Sequence, residues 1–262
     1  MPFQIDHVVI AGNDLVILRG AFAALGIIPD EGGVHADGLT HNALIGFEDG
    51  SYLELIAPMP GKDAKDHPWW QFMRDRAGVC AWAIRSDDIQ ADVALYRSRA
   101  IPVGDPVPGG RVRADGVRLE WITAKLDIES LGSVLPFLIQ DVTPRDWRVP
   151  KTSSVEGLFT GIEEVILGVN GNNDKRIELF RRAFSSPVIN DPYHLRLQDL
   201  PVGFENTYPY SGIQRILLNT TDFDLVCRRL NAKGGVTRSS DRPIGRLNLD
   251  VPGDWQVSFI GP

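Results

Sequence analysis

One pattern recurs four times along this chain and restricts what it can fold into: a β-branched strand, an acidic helix cap, a one-sided apolar helix and a stop. Its first copy runs Ile5-Asp6-His7-Val8-Val9-Ile10, then Asn13-Asp14, then a stripe at Leu15, Leu18, Phe22 and Leu25, then Gly26. The second starts at Val79, caps at Asp87-Asp88 and lines a helix face with Ile89, Val93, Tyr96 and Ala100. The third has Ile162 to Leu167, Asn173-Asp174, then Ile177, Phe180 and Phe184 before Pro187. The fourth has Ile213 to Leu218, Asp222, then Phe223, Cys227 and Leu230 before Gly234-Gly235. An internal repeat of this kind outweighs any local propensity in deciding a fold.

Short strand candidates follow each helix. Thr40 to Phe47 and Ser51 to Ile56 flank a hairpin turn at Glu48-Asp49-Gly50. Val117 to Thr123 and Val134 to Gln140 follow the second helix, and His194 to Leu200 is the clearest strand after the third. Arg246 to Val251 and Trp255 to Ile260, joined by Pro252-Gly253-Asp254, close the fourth copy. The reading is an α+β chain of about four βαβββ modules, the third abbreviated. Each module is too small to hide both faces of its own sheet, so modules must pair. Two units are expected, 1–150 with modules at about 3–60 and 77–143, and 151–262 with modules at about 159–208 and 211–262.

Composition excludes several function classes. With 262 residues, a formal net charge of -7 and a pI near 5.3, the chain lacks the basic excess of a nucleic-acid binder. No apolar run reaches the roughly 20 residues of a membrane span. Met1 to His7 enters a strand pattern with no basic n-region or apolar h-region, so no export signal is expected and the cytoplasm is the expected address. Cys80 and Cys227 sit in apolar patterns with no CxxC spacing and read as reduced, buried thiols. Gly109-Gly110-Arg111 lacks the strand-to-helix context of a phosphate loop, and no GxSxG elbow or HExxH helix occurs. His67-Pro68-Trp69-Trp70 reads as the start of a linker helix packing aromatics at the junction of the first two modules, and His194 as structural.

Within this frame, residues 5–10, Gly33-Val34-His35, Thr40 to Ile45 and Asp49 to Ala57 resemble the first module of a glyoxalase-like domain of the vicinal oxygen chelate superfamily. Ala114 to Trp121 and Leu135 to Gln140 resemble its second module. The resemblance is strong over about residues 3–145 and continues beyond only as the βαβββ rhythm. It implies paired mixed sheets curling into a cup with helices outside. It also implies one divalent metal (Zn, Fe, Mn or Ni) held by the first and last strands of each module and acting as a Lewis acid.

The resemblance places His7 at the first-strand ligand position and Glu54 at the last-strand position. Strand alternation puts Glu54 on one face with Tyr52 and Ile56, and a carboxylate in so apolar a strand must be paired, metal-bound or wet. The second module departs from the pattern: Ala81 stands opposite His7 and Phe137 opposite Glu54. In the second half the same positions hold Glu164 and Ser258, without a histidine. A metal on His7 and Glu54 therefore needs a third ligand. His41, on the third strand, is the natural candidate, while His35, among Gly32, Gly33 and Gly38, is expected in an exposed loop.

The same residues also suit a metal-free site. His7 and Glu54 would form an acid/base pair, Asn42 would orient a substrate carbonyl, and Arg118 and Trp121 would clamp a carboxylate and stack on an apolar group, with alternation allowing only one of these two into the cup. Three functions follow. The first is a lyase-, hydrolase- or isomerase-type enzyme acting on a small oxygenated or carbonyl-bearing metabolite. The second is a metal-free binding or sequestering protein of the drug-resistance type. The third is an extradiol-type dioxygenase, which the ligand set disfavours. The partner expected is a small molecule, with a homodimer as the self-assembly the fold allows.

Overall fold

The structure is a computed structural model that describes residues 3–75, 77–126, 134–171, 174–190, 195–206, 212–239, 243–251 and 255–261. The third-copy Asn173, His194 and the turn at 252–254 lie outside the described residues.

All four copies of the repeat are present. The first comprises β1 (Ile5–Ala11), α1 (Leu15–Ala24), β2 (Asp30–His35), β3 (Thr40–Gly46) and β4 (Tyr52–Pro58). A linker helix, α2 (Trp70–Asp75), leads to the second: β5 (Gly78–Arg85), α3 (Ile89–Ser98), β6 (Val107–Val112), β7 (Arg118–Lys125) and β8 (Phe137–Asp141). A short α4 (Arg145–Arg148) follows. The third is β9 (Gly161–Val169), α5 (Lys175–Phe184), β10 (Val188–Asn190), β11 (Leu195–Leu197) and β12 (Val202–Asn206). The fourth is β13 (Gly212–Asn219), α6 (Phe223–Asn231), β14 (Val236–Arg238), β15 (Ile244–Leu247) and β16 (Gln256–Ile260).

The cap residues explain why each helix starts where it does. Asp14, Asp88, Asp174 and Asp222 each accept a hydrogen bond from a backbone N–H in the first turn, satisfying a donor that the helix leaves unpaired. The third module is less abbreviated than its sequence suggests. It has all three following strands, but two are only three residues long, too short for a periodic signal.

The halves differ in closure. In the first, β1 pairs with β5 antiparallel, and β2 pairs with β6 through Val34↔Val112 and His35↔Arg111. That second seam joins the modules on their far side, so the strands form a closed barrel, β1-β4-β3-β2-β6-β7-β8-β5. In the second half the order is β10-β11-β12-β9-β13-β16-β15-β14, an eight-stranded sheet with β10 and β14 at its edges.

One large apolar core lies between the barrel's outer face, the helices and the second sheet. Val8, Ile10, Trp82 and Ile84 from the barrel join Phe180, Phe204, Ile216 and Phe259 there. Trp82 stacks on Phe180 of α5 at 6.4 Å between ring centroids, and Trp255 Nε1 donates to the Ala77 carbonyl at 3.1 Å. Cys227 is buried in this core and Cys80 is half-buried; both are free thiols. No helix among the described residues is long and apolar enough to cross a membrane.

Candidate functional site in the first barrel

Alternation along β1, β3 and β4 divides the barrel's residues between core and interior. On β4, Leu53, Leu55 and Ala57 join the outer core, while Tyr52, Glu54 and Ile56 turn inward. On β1, Val8 and Ile10 go outward and His7, Val9 and Ala11 inward. The parallel register His7↔Tyr52, Val9↔Glu54 then sets His7 diagonally across from Glu54.

His7 is fixed on every side. Its ring stacks on Tyr52 at 4.6 Å and meets the edge of Phe137 at 5.4 Å. The strand register slips between Ile5 and His7, a bulge that brings Asp6 beside its own neighbour's ring. His7 Nδ1 lies 2.7 Å from Asp6 Oδ1. Asp6 is fully buried; burial pushes its pKa up, but Arg148, His7 and Arg145 together hold it well below the usual carboxylate range. An ionised carboxylate only accepts, so Nδ1 of His7 carries a proton and Nε2 is the atom left facing the interior.

That Nε2 points at Glu54 Oε2, 3.5 Å away. The other oxygen, Oε1, lies 3.4 Å from His35 Nε2 and accepts a hydrogen bond of 2.6 Å from Asn42 Nδ2. His35 in turn has Nδ1 2.7 Å from Thr40 Oγ1. Burial raises the Glu54 pKa, but His35, with His7 and Asn42, overcomes it and holds the carboxyl down at about 2. Two imidazoles therefore flank one buried carboxylate, each with its far nitrogen tied and its near nitrogen on a different oxygen.

The end of the barrel beyond His7 is closed by α4. Arg148, 2% exposed, donates to both oxygens of Asp6, to both of Asp141 and, at 2.7 Å, to the Tyr52 hydroxyl. Arg145 adds contacts to Asp6, to Asp141 and to the Gly50 carbonyl. Burial raises the Tyr52 pKa, which keeps the phenol neutral. The opposite end is apolar, where Val9, Ala11, Ile56 and Met73 pack with Trp69, Trp70, Phe72, Cys80, Ala81 and Phe137. The linker aromatics thus pack at the module junction, as their sequence suggests.

Five of the seven residues singled out from sequence meet in this interior: His7, Asn42, Tyr52, Glu54 and Trp121. Trp121 lies over Gly109, where a Cβ would stand 2.5 Å from its Nε1, and presents its edge to His35 at 6.4 Å. Two residues are elsewhere. His41 alternates with Asn42, so it faces outward with Ala43 and Ile45, where burial lowers its pKa, Asp14 raises it, and His35 and Arg19 lower it further. Arg118 is exposed and paired with Glu120 at 2.9 Å. Alternation along β7 sends Trp121 in and Arg118 out.

Three residues take the places that sequence reasoning left open. His35 ends β2 instead of sitting in a loop, and it replaces His41 beside Glu54. Gly32 permits this packing, since a Cβ there would lie 1.9 Å from Asn42 Oδ1. Arg111, 4% exposed on β6, replaces Arg118 as the inward guanidinium. Asp6 is visible in the sequence only as the neighbour of His7, because a bulge cannot be read from alternation.

The donor types suit a divalent ion, but the arrangement does not. Among the described residues no group of three or more His, Cys, Asp or Glu side chains could hold a metal ion. The register equates Ala83↔Phe137 with Val9↔Glu54, so the second module contributes Ala81 and Phe137 where the family's pattern has ligands. The proposed set of His7, Glu54 and His41 is also broken by the outward His41.

Comparison with known proteins agrees with this architecture. Residues 5–184 match the sequence profile of a family described as "Glyoxalase-like domain", and the chain belongs to that family. The match extends past the first two modules into α5. No curated protein sequence matches the chain. Among solved structures, a hypothetical protein from Staphylococcus aureus aligns over 99% of this chain and 100% of its own, at 16% identity and a TM-score of 0.71. A Mn(II)-bound glyoxalase from Novosphingobium aromaticivorans aligns over 99% and 82%, at 13% identity and 0.58. A 2,2',3-trihydroxybiphenyl 1,2-dioxygenase from Sphingomonas wittichii aligns over 100% and 91%, at 12% identity and 0.57. These likenesses establish the vicinal oxygen chelate fold.

Proposed function

We propose that the first barrel is the active site of an isomerase- or lyase-type enzyme that moves a proton on a small carbonyl-bearing metabolite. The observation that carries this reading is the pair of imidazole Nε2 atoms, of His7 and His35, set on the two oxygens of Glu54. A carboxylate held at about 2 is a weak base near neutrality, so Glu54 acts by accepting from His35 and by stabilising the cation that His7 becomes once it takes a proton. The proton carriers are then the imidazoles. His7, with Nδ1 on Asp6, takes a proton from the carbon beside the carbonyl at Nε2, and Asp6 stabilises the resulting cation. His35, about one carboxylate's width away, protonates the carbonyl oxygen. Asn42, beside Glu54, and Trp121, beside His35, position the substrate.

No step runs through a metal, because the residues present do not form a ligand set. A glyoxalase of similar fold is Mn(II)-bound, whereas in this chain the second-module positions that correspond by register to His7 and Glu54 are Ala81 and Phe137. The reading is tested by proton NMR in D2O with hydroxyacetone and 2-oxobutanoate as probes. Wild-type protein dialysed against a chelator is expected to wash out the signals of the protons beside the carbonyl, and His7→Gln or His35→Gln to slow this by about 10²-fold or more. Washout by wild type that both variants match would refute it.

A further inference from the structure

Among the described residues Arg111 is a buried cation with no carboxylate in direct contact; Glu54 is the carboxylate of opposite charge acting on it. Its Nη1 donates to Asn42 Oδ1 at 3.3 Å and its Nη2 to the Arg148 carbonyl at 2.6 Å, both neutral acceptors. Its Nε is buried with no hydrogen-bond partner. Arg148, equally buried, has two aspartates. The reason Arg111 has none is Asn42, whose amide donates to Glu54 with Nδ2 and accepts from Arg111 with Oδ1, standing between the two charges. A buried guanidinium with no carboxylate in contact is costly to keep, and an anion supplied by a ligand would relieve that cost. Arg111 is paired directly across the barrel seam with His35, which puts the guanidinium beside the proposed proton carriers.

The other end of the interior is of opposite character. Val9, Ile56, Met73, Trp69, Phe72 and Phe137 make it apolar, and the three aromatic side chains among them are only half-buried. A ligand lying along the barrel would meet a cation at one end and an aromatic wall at the other, with His7, Glu54 and His35 between.

We infer that the barrel takes a small carboxylate bearing an apolar group, with the Arg111 guanidinium receiving the carboxylate and the segment around Trp69 and Phe72 covering the apolar end. This rests on the first barrel's interior being the substrate site, and names its substrate class. The planar fork of arginine matches a carboxylate with two parallel hydrogen bonds, which a neutral amide cannot reproduce.

The test is calorimetric binding of 3-phenylpropanoate, its amide and acetate to the full chain. The acid is expected to bind at least tenfold more tightly than the amide, and more tightly than acetate. Arg111→Met should abolish the preference for acid over amide while melting at or above the wild-type temperature, since it removes a buried charge with no carboxylate in contact. Should that variant not fold, Arg111→Gln, uncharged but still able to donate to the Arg148 carbonyl or Asn42, is expected to fold and to lose the preference. Equal binding of acid and amide to wild type, or a preference that persists in whichever variant folds, overturns the inference. Arg118→Ala, at an exposed cation outside the barrel, is expected to keep the preference. A protein that prefers the acid but washes out no protons would refute the proton-transfer reading alone.

Discussion

The two halves of the molecule are built from the same repeat and make opposite use of their inner faces. In the first, closure through β2 and β6 wraps the inner face around His7, Glu54, His35 and Arg111. In the second, the positions equivalent to the ligand strands hold Glu164 and Ser258, both beside Leu217 on β13. The cations on that face are matched by carboxylates: Arg215 meets Glu205, and Arg196 lies 3.9 Å from Glu164. A charge that the fold itself neutralises serves the fold, whereas one left to a neutral amide is free to serve a ligand. The difference supports the proposal that function belongs to the first barrel and that the second sheet serves the fold.

The largest effect that would sharpen this contrast is on stability. Asp6→Ala leaves Arg145 and Arg148 facing a buried void, and urea unfolding should show a loss of about 3–5 kcal/mol. Glu164→Gln keeps the side chain's shape and loosens only a 3.9 Å contact to the partly exposed Arg196, so it should cost clearly less by the same measurement. Comparable losses would erase the distinction between the halves.

Next comes pH. The Glu54 pKa is depressed in the fold to about 2 from a usual value near 4.3, so its contribution is fully present above that unfolded value. As pH falls from about 4.5 toward 2 that contribution is lost. Urea midpoints of wild type and Glu54→Gln should therefore approach each other across this window. A gap that stays constant through it would mean that the carboxylate is not held by the two imidazoles.

The smallest effects belong to the residues that turn outward. His41→Ala and Arg118→Ala should change unfolding free energy by no more than about 0.5 kcal/mol and leave proton washout within about twofold of wild type. A large loss in either would return that residue to the site.

How much of this was legible in the residues can be argued from the same positions. The four aspartate caps announced four helices, because a cap is a local contact between neighbours. His7, Tyr52 and Glu54 were legible because strand alternation is strictly twofold, and the same rule separates Trp121 from Arg118. His35 and Arg111 were not. Both sit in glycine-rich stretches whose strands pair locally with β3 and β7, but the two side chains come together only where β2 and β6 pair across a seam between modules. Pairing at that sequence distance has no local signature. Arg148 is likewise buried only because α4 closes the barrel, and nothing near it in the chain announces that.

The account stands or falls on proton transfer by the imidazoles of the first barrel. Washout of the protons beside the carbonyl of hydroxyacetone and 2-oxobutanoate in D2O, followed by proton NMR for wild type, His7→Gln, His35→Gln and Glu164→Gln, measures it directly. Wild type and Glu164→Gln are expected to wash the protons out alike, and each histidine variant to lose about 10²-fold or more of the rate. Washout that is unchanged in both histidine variants, or lost with Glu164 instead, would contradict it.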